Sequence, residues 1–187
     1  CCLGRRAGKT LLGIDRIMYG LGERKPTAWF SPTYKMLADA WREIKGFCAT
    51  VIIDKSETEH RLTVPGGGTL DMWSLEDESA GRSRKYARVV VDEAALTRNL
   101  ETAWNECIRP TLTDYKGDAF FPSTPKGRNY YWRLYQHGID GLETDWRSWR
   151  MPTSANPFID PSEIEAARLD MRGLNVARAA QPCNGAT

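Results

Sequence analysis

The chain reads as an α/β domain with a mainly parallel central sheet flanked by helices, and three observations predict it. Apolar, β-prone runs alternate with helical stripes along most of the length. A small-residue turn, Gly4 to Gly8, joins the apolar pair Cys2-Leu3 to a helical stripe opened by Lys9-Thr10. The most β-prone run, Ala87-Arg-Val-Val-Val91, leads directly into two acids, Asp92 and Glu93.

Each element follows from local pattern. Leu11, Ile14, Met18 and Leu21 share one helical face, and Gly20 and Gly22 mark its end. Thr27-Ala-Trp-Phe30 is a short buried strand stopped by Ser31-Pro32, and a helix spans Tyr34 to Phe47 with Met36, Leu37, Ala40, Trp41 and Ile44 apolar. Arg61 to Val64 and Thr69 to Trp73 flank Pro65-Gly-Gly-Gly68, which predicts a β-hairpin insertion. Asp118 to Phe121 is a further strand, closed by Pro122, which donates no ladder hydrogen bond. Asn129 to Gln136 is a helix, and Asp160-Pro-Ser-Glu163 opens the last one, with aspartate as cap and proline at the first helical position.

Composition narrows the function classes. No apolar run approaches the roughly 18 residues of a spanning helix, and no signal-peptide pattern opens the sequence. A formal net charge of +2 gives no argument for nucleic-acid binding. The five cysteines are scattered and none has a histidine at metal-ligand spacing, which predicts free, packing thiols in a reducing compartment. His60 and His137 are expected at the surface, the seven tryptophans in core and helix–sheet contacts, and Asn156-Pro157-Phe158 as a turn anchored to the core. The start inside a strand, without methionine, and the aperiodic end suggest a fragment.

The loop and the acidic strand carry chemistry together. Nucleoside triphosphates are held by successive backbone N–H groups at a helix start, here Gly4, Arg5, Arg6, Ala7 and Gly8. A lysine ammonium, Lys9, reaches the phosphates, and a hydroxyl, Thr10, ligates Mg²⁺. The spacing is one residue short of the usual form, since Leu3 stands where the first glycine would be, and an ordinary loop entering a helix is the competing reading. Asp92 at a strand end supplies the second metal contact through water, and Glu93 polarises the attacking water. Solvated acids after a strand are commonplace alone; with the loop some eighty residues upstream, they point to ATP hydrolysis.

Five segments together resemble the ATPase domain of the terminase large subunit, the DNA-packaging motor of tailed bacteriophages. They are Cys2 to Thr10, whose short spacing and internal arginine are typical there; Trp29 to Lys35; Arg88 to Ala95; Arg109 to Asp118 with Ser123 to Asn129; and Pro152 to Asp160. The resemblance covers roughly residues 1 to 172. It implies a P-loop NTPase fold of the additional-strand, catalytic-glutamate type. It also implies ATP and Mg²⁺ as cofactors, double-stranded DNA, a portal protein and a small terminase subunit as partners, a homo-oligomeric ring, and the host cytoplasm as location. The family's upstream adenine-contacting segment and its C-terminal nuclease domain have no counterpart here, so no nuclease activity is expected. Residues 173 to 187 do not look like the family's continuation.

The resemblance also assigns residue roles. An arginine at the Arg5 position is proposed there to reach the γ-phosphate. Arg82 matches a candidate finger acting on a neighbouring subunit's ATP, although Ser83 stands where glycine is expected and would be strained if that position needs a positive φ. A solvated basic loop of Arg82, Arg84 and Lys85 is the competing reading. Ser123, Thr124 and Pro125 correspond to a motif coupling γ-phosphate loss to movement, with a simple turn as alternative. Another DNA-stimulated ATPase or helicase, or an incompetent fragment that only binds DNA or portal, are the competing functions.

Overall fold

The computed structural model describes residues 1–4, 7–77, 79–140, 144–160 and 162–165. They fall into two compact units, one of Lys9–Pro122 and one of Cys1–Gly8 with the chain from Ser123 onward.

The larger unit is a sheet flanked by helices. Its strands are β2 (Pro26–Ser31), β3 (Asp54–Ser56), β4 (Arg61–Thr63), β5 (Thr69–Ser74), β6 (Arg88–Val91) and β7 (Asp118–Phe120), following β1 (Cys2–Leu3) of the other unit. Spatial order is β3-β4-β5-β2-β6-β7, with β5, β2, β6 and β7 parallel and β3 and β4 added antiparallel. The predicted hairpin is β4–β5: Val64 N–H donates to Gly68 O at 2.9 Å, and the register sets Arg61 opposite Asp71. Strand β3 has no signal in the sequence, because Asp-Lys-Ser carries no apolar alternation.

Helices α1 (Lys9–Gly22) and α2 (Tyr34–Cys48) bury Ile14, Ile17, Leu21, Leu37, Ala40, Trp41 and Ile44 against Trp29, Leu62, Leu70, Met72 and Val90. Burial of these side chains, worth ~1.5–3 kcal/mol each, holds the helices on the sheet. Thr33 caps α2, its Oγ1 accepting from Met36 N–H at 3.3 Å. On α1 the buried stripe is rotated from the one expected: Leu11 is 55% exposed, and Gly13, Ile17 and Gly20 turn inward. Gly13 causes this. A Cβ there would lie 2.8 Å from the Trp29 ring, so only glycine lets α1 approach β2 at that point.

Between β6 and β7 runs a helical stretch absent from the sequence reading: α3 (Leu100–Thr102), a π-helical piece Ala103–Ile108, and α4 (Arg109–Thr111). It buries Leu100, Trp104, Cys107 and Ile108. His60, expected at the surface, is buried, its ring edge-on to Tyr34 and Trp41 at 5.5 Å each. A positive φ of 49° at His60 tucks it under those rings.

In the smaller unit β1 pairs parallel with β8 (Arg150–Met151) and bridges Ser123. Helix α5 (Tyr130–His137) is capped by Asn129 and anchored by Tyr131, whose hydroxyl donates to Cys1 O at 2.7 Å. Asp160 accepts from Ser162 N–H at 2.9 Å, the cap expected there; Pro161 lies outside the described residues. Three expectations fail in this unit. Phe158 is 95% exposed, because its turn is closed locally by Asn156 Oδ1 accepting from Phe158 N–H, and Trp149 is 55% exposed. Cys1, Cys48 and Cys107 form no disulfide, whereas Cys2 is disulfide-bonded, against the expectation of free, packing thiols.

Candidate active site

Three of the residues singled out in the sequence come together in the larger unit. Lys9 begins α1 and is 8% exposed, although lysine is rarely buried without a partner. Its Nζ lies 3.6 Å from Glu93 Oε1. Thr10 follows in the first turn of α1.

Strand β6 delivers the acids. The β2–β6 ladder continues one residue past the strand, Asp92 N–H donating to Phe30 O at 2.9 Å, so Asp92 is held at the C-terminal edge of a buried strand. Its side chain is 6% exposed and accepts the Glu93 backbone N–H, but Oδ1 has no hydrogen-bond partner among the described residues. Burial, reinforced by the neighbouring Glu93 carboxylate, pushes the Asp92 carboxyl up to about 7, with Lys9 opposing. A buried carboxylate oxygen left without a donor suits a hard divalent cation, which takes oxygen ligands.

Glu93 has φ 44° and ψ 43°, a left-handed conformation uncommon for a non-glycine residue, and caps a 3-10 turn Ala94–Leu96. The chain thus reverses sharply after β6, and consecutive carboxylates take different surroundings: Asp92 buried, Glu93 22% exposed at its side chain.

The smaller unit carries the rest of the loop. Gly8 has φ +73°, which a side chain rarely adopts, and Ala7 N–H donates to Gly4 O at 3.4 Å. Arg5 and Arg6 lie outside the described residues. Ser123 is fully buried beside β1: Leu3 N–H donates to Ser123 O at 3.0 Å, and Ser123 N–H to Cys1 O at 3.1 Å. The candidate coupling motif Ser123-Thr124-Pro125 is thereby fastened to the strand that leads into Gly4.

Arg82 sits elsewhere in the larger unit, exposed, with Nη2 3.9 Å from Cys107 Sγ. Ser83 has φ +65°, the conformation its replacement of a glycine made a concern. Sequence reasoning missed Asp71 and Tyr86, which form a buried polar network in the same unit. Their pairing depends on the register of the hairpin about Pro65–Gly68, which sets Arg61 opposite Asp71.

No family model matches the chain. In sequence it is 27% identical over 176 residues to the terminase large subunit of Escherichia phage T5, covering 89% of this chain and 39% of that protein. The chain thus spans well under half the length of that curated relative. In structure it matches the large terminase ATPase domain of Thermus phage P74-26 with a TM-score of 0.74 at 20% identity, over 92% of this chain and 81% of that one. The large terminase of a thermophilic bacteriophage, solved in complex with ADP, matches with a TM-score of 0.65 at 15% identity, over 90% of this chain and 43% of that one. The chain is similar in sequence to phage terminase large subunits and has the fold of their ATPase domain, a P-loop NTPase fold.

Proposed function

We propose that the chain is the ATP-hydrolysing motor domain of a phage terminase large subunit, driving translocation of double-stranded DNA into a procapsid. The observation that carries this reading is the cluster of buried Lys9, partner-short Asp92 and left-handed Glu93 at one strand end.

Lys9 binds the β- and γ-phosphates of ATP, giving up its Glu93 contact as it does so. Released from that ion pair, the Glu93 carboxylate orients the attacking water and takes its proton. Asp92, through water, and Thr10 would hold Mg²⁺, which would neutralise phosphate charge. Backbone N–H groups from Gly4 through Gly8 cradle the phosphates, with Arg5 and Arg6 contributing charge. Arg82 acts on the ATP of a neighbouring copy in a ring. Ser123, Thr124 and Pro125 pass loss of the γ-phosphate onward, a role supported by the fastening of Ser123 to β1.

We assign residues 1–172 to the ATPase domain; residues 166–187 lie outside the described residues. The partners are DNA, a portal protein and a small terminase subunit, and the place of work is the host cytoplasm. No helix among the described residues is long and apolar enough to cross a membrane.

ATP titrations of the full-length protein, with and without Mg²⁺, test the assignment. Mg²⁺ should tighten ATP binding in the wild type and not in Asp92→Ala. Equal Mg²⁺ dependence in both would remove Asp92 from the metal.

A further inference from the structure

A second buried polar network lies in the sheet unit, and it shares residues with the turn that bears Arg82. Trp73 Nε1 donates to the Tyr86 hydroxyl at 2.9 Å, which donates to Asp71 Oδ2 at 2.8 Å. Arg61 Nε completes the set on Asp71 Oδ1 at 2.6 Å. Burial and the Asp71 carboxylate push the Tyr86 phenol far up, so it stays a donor at any working pH.

The turn itself, residues 79–86, is tightly closed. Arg82 N–H donates to Ser79 O at 2.9 Å and Arg84 N–H to Gly81 O at 3.2 Å, with Ser83 left-handed between them. Tyr86 ends the turn, and its own N–H donates to Thr111 O at 2.8 Å. Arg84 stacks over the Trp73 ring, 5.8 Å from its centroid. Trp73 and Tyr86 thus belong to both the network and the turn's supports, while Arg82 remains exposed at its tip.

We infer that Asp71, Tyr86 and Trp73 are positioning residues for Arg82, fixing its turn in the orientation that presents the guanidinium to the ATP of a neighbouring copy of this chain. The inference rests on the reading of Arg82 given above. Its physical basis is the steep dependence of catalysis on placement, where a ~1 Å error costs up to ~10²-fold. An apolar cluster would fill the same space; directional hydrogen bonds fix the Tyr86 ring's position and, through it, the end of the turn.

The test uses the full-length protein, with ATP turnover read against protein concentration and in subunit mixtures. Tyr86→Phe should leave dilute, unassembled turnover and KM within about twofold of wild type while lowering the assembly-stimulated rate by ~10-fold or more. Admixed Glu93→Gln subunits, which carry an intact Tyr86 and Arg82, should restore part of that rate. A merely structural role would not be rescued by a neighbour. Trp73→Phe is the second variant, since it keeps a ring at a half-buried position and removes only the indole N–H donated to the Tyr86 hydroxyl. It should lower stimulation by ~3-fold or more on the same basis. If Arg82→Ala keeps full stimulation, the reading of Arg82 itself fails. If Arg82→Ala abolishes stimulation while Tyr86→Phe and Trp73→Phe retain it, the positioning inference is overturned and the Arg82 reading stands. Should Tyr86→Phe not fold, Trp73→Phe decides alone: retained stimulation overturns the inference.

Discussion

Asp71 and Asp92 are both buried aspartates in one sheet, and their surroundings are opposite. Asp71, in the middle of β5, is 7% exposed and receives Arg61 and Tyr86 on its two oxygens. Asp92, one residue past β6, is 6% exposed, with one oxygen lacking a partner among the described residues and its carboxyl raised to about 7. Equal burial therefore does not mean equal purpose. A satisfied carboxylate stabilises its surroundings, whereas an unsatisfied one costs stability until something outside the chain completes it. This contrast distinguishes a satisfied carboxylate from one open to a ligand without reference to any relative.

The contrast can be broken in the Asp71 half first. Asp71→Asn leaves Arg61 and Tyr86 without their carboxylate acceptor. Urea unfolding should show a loss of about 2–3 kcal/mol, below the ~3–5 kcal/mol of a fully buried pair because Arg61 is part exposed. A double-mutant cycle of Asp71→Asn with Tyr86→Phe sharpens it. The coupling energy should be about 1.5–3 kcal/mol, the range for a hydrogen bond to a charged group. A coupling near zero would mean the 2.8 Å contact carries no directional force. Asp92→Asn is the reverse case: removing an uncompensated buried charge should leave stability unchanged or raise it by up to about 1 kcal/mol, while Mg²⁺-dependent binding disappears.

Much of the site is legible in the amino-acid order alone, for a physical reason. Lys9, Asp92 and Glu93 lie at ends of elements, where loop composition and strand propensity fix their position. Val89 to Val91 could only be a buried strand, and acids that follow one must emerge at its edge. Asp71 is not legible, because its burial depends on register: Arg61 neutralises it only once the hairpin closes about Pro65–Gly68. The helical stretch from residue 100 escapes the sequence reading although Leu100, Trp104, Cys107 and Ile108 make a helical stripe. Pro110 close behind argues against a helix, and the structure accommodates it at the start of α4, after the π-helical turn. Ser83 is the converse case, where a residue that reads as out of place sits at φ +65°.

The smallest expected effect concerns Asp118, the carboxylate shared by Arg88 and Arg16 at 2.8 and 2.9 Å. Burial raises its pKa, but hydrogen bonds from the two guanidiniums outweigh this and hold it below the usual carboxylate value. A depressed native pKa contributes stability above the unfolded value near ~3.9 and loses it as pH falls through the native one. Asp118→Asn should therefore destabilise by about 1 kcal/mol or less at pH 7, since the Asp118 side chain is 42% exposed and screened by solvent, and by less still as pH drops below ~4. Urea midpoints of mutant and wild type that stay equally far apart from pH 7 to pH 3 would rule out an ionised Asp118 as the source.

The central claim is that the strand-end cluster hydrolyses ATP with Glu93 as the group that activates water. Single-turnover and steady-state ATP hydrolysis by full-length Glu93→Gln, measured beside its ATP affinity, tests this most directly. The account predicts affinity within a fewfold of wild type and turnover lower by ~10²–10⁴, the range for loss of a general base. Normal turnover with intact binding would contradict it and send the search to another carboxylate.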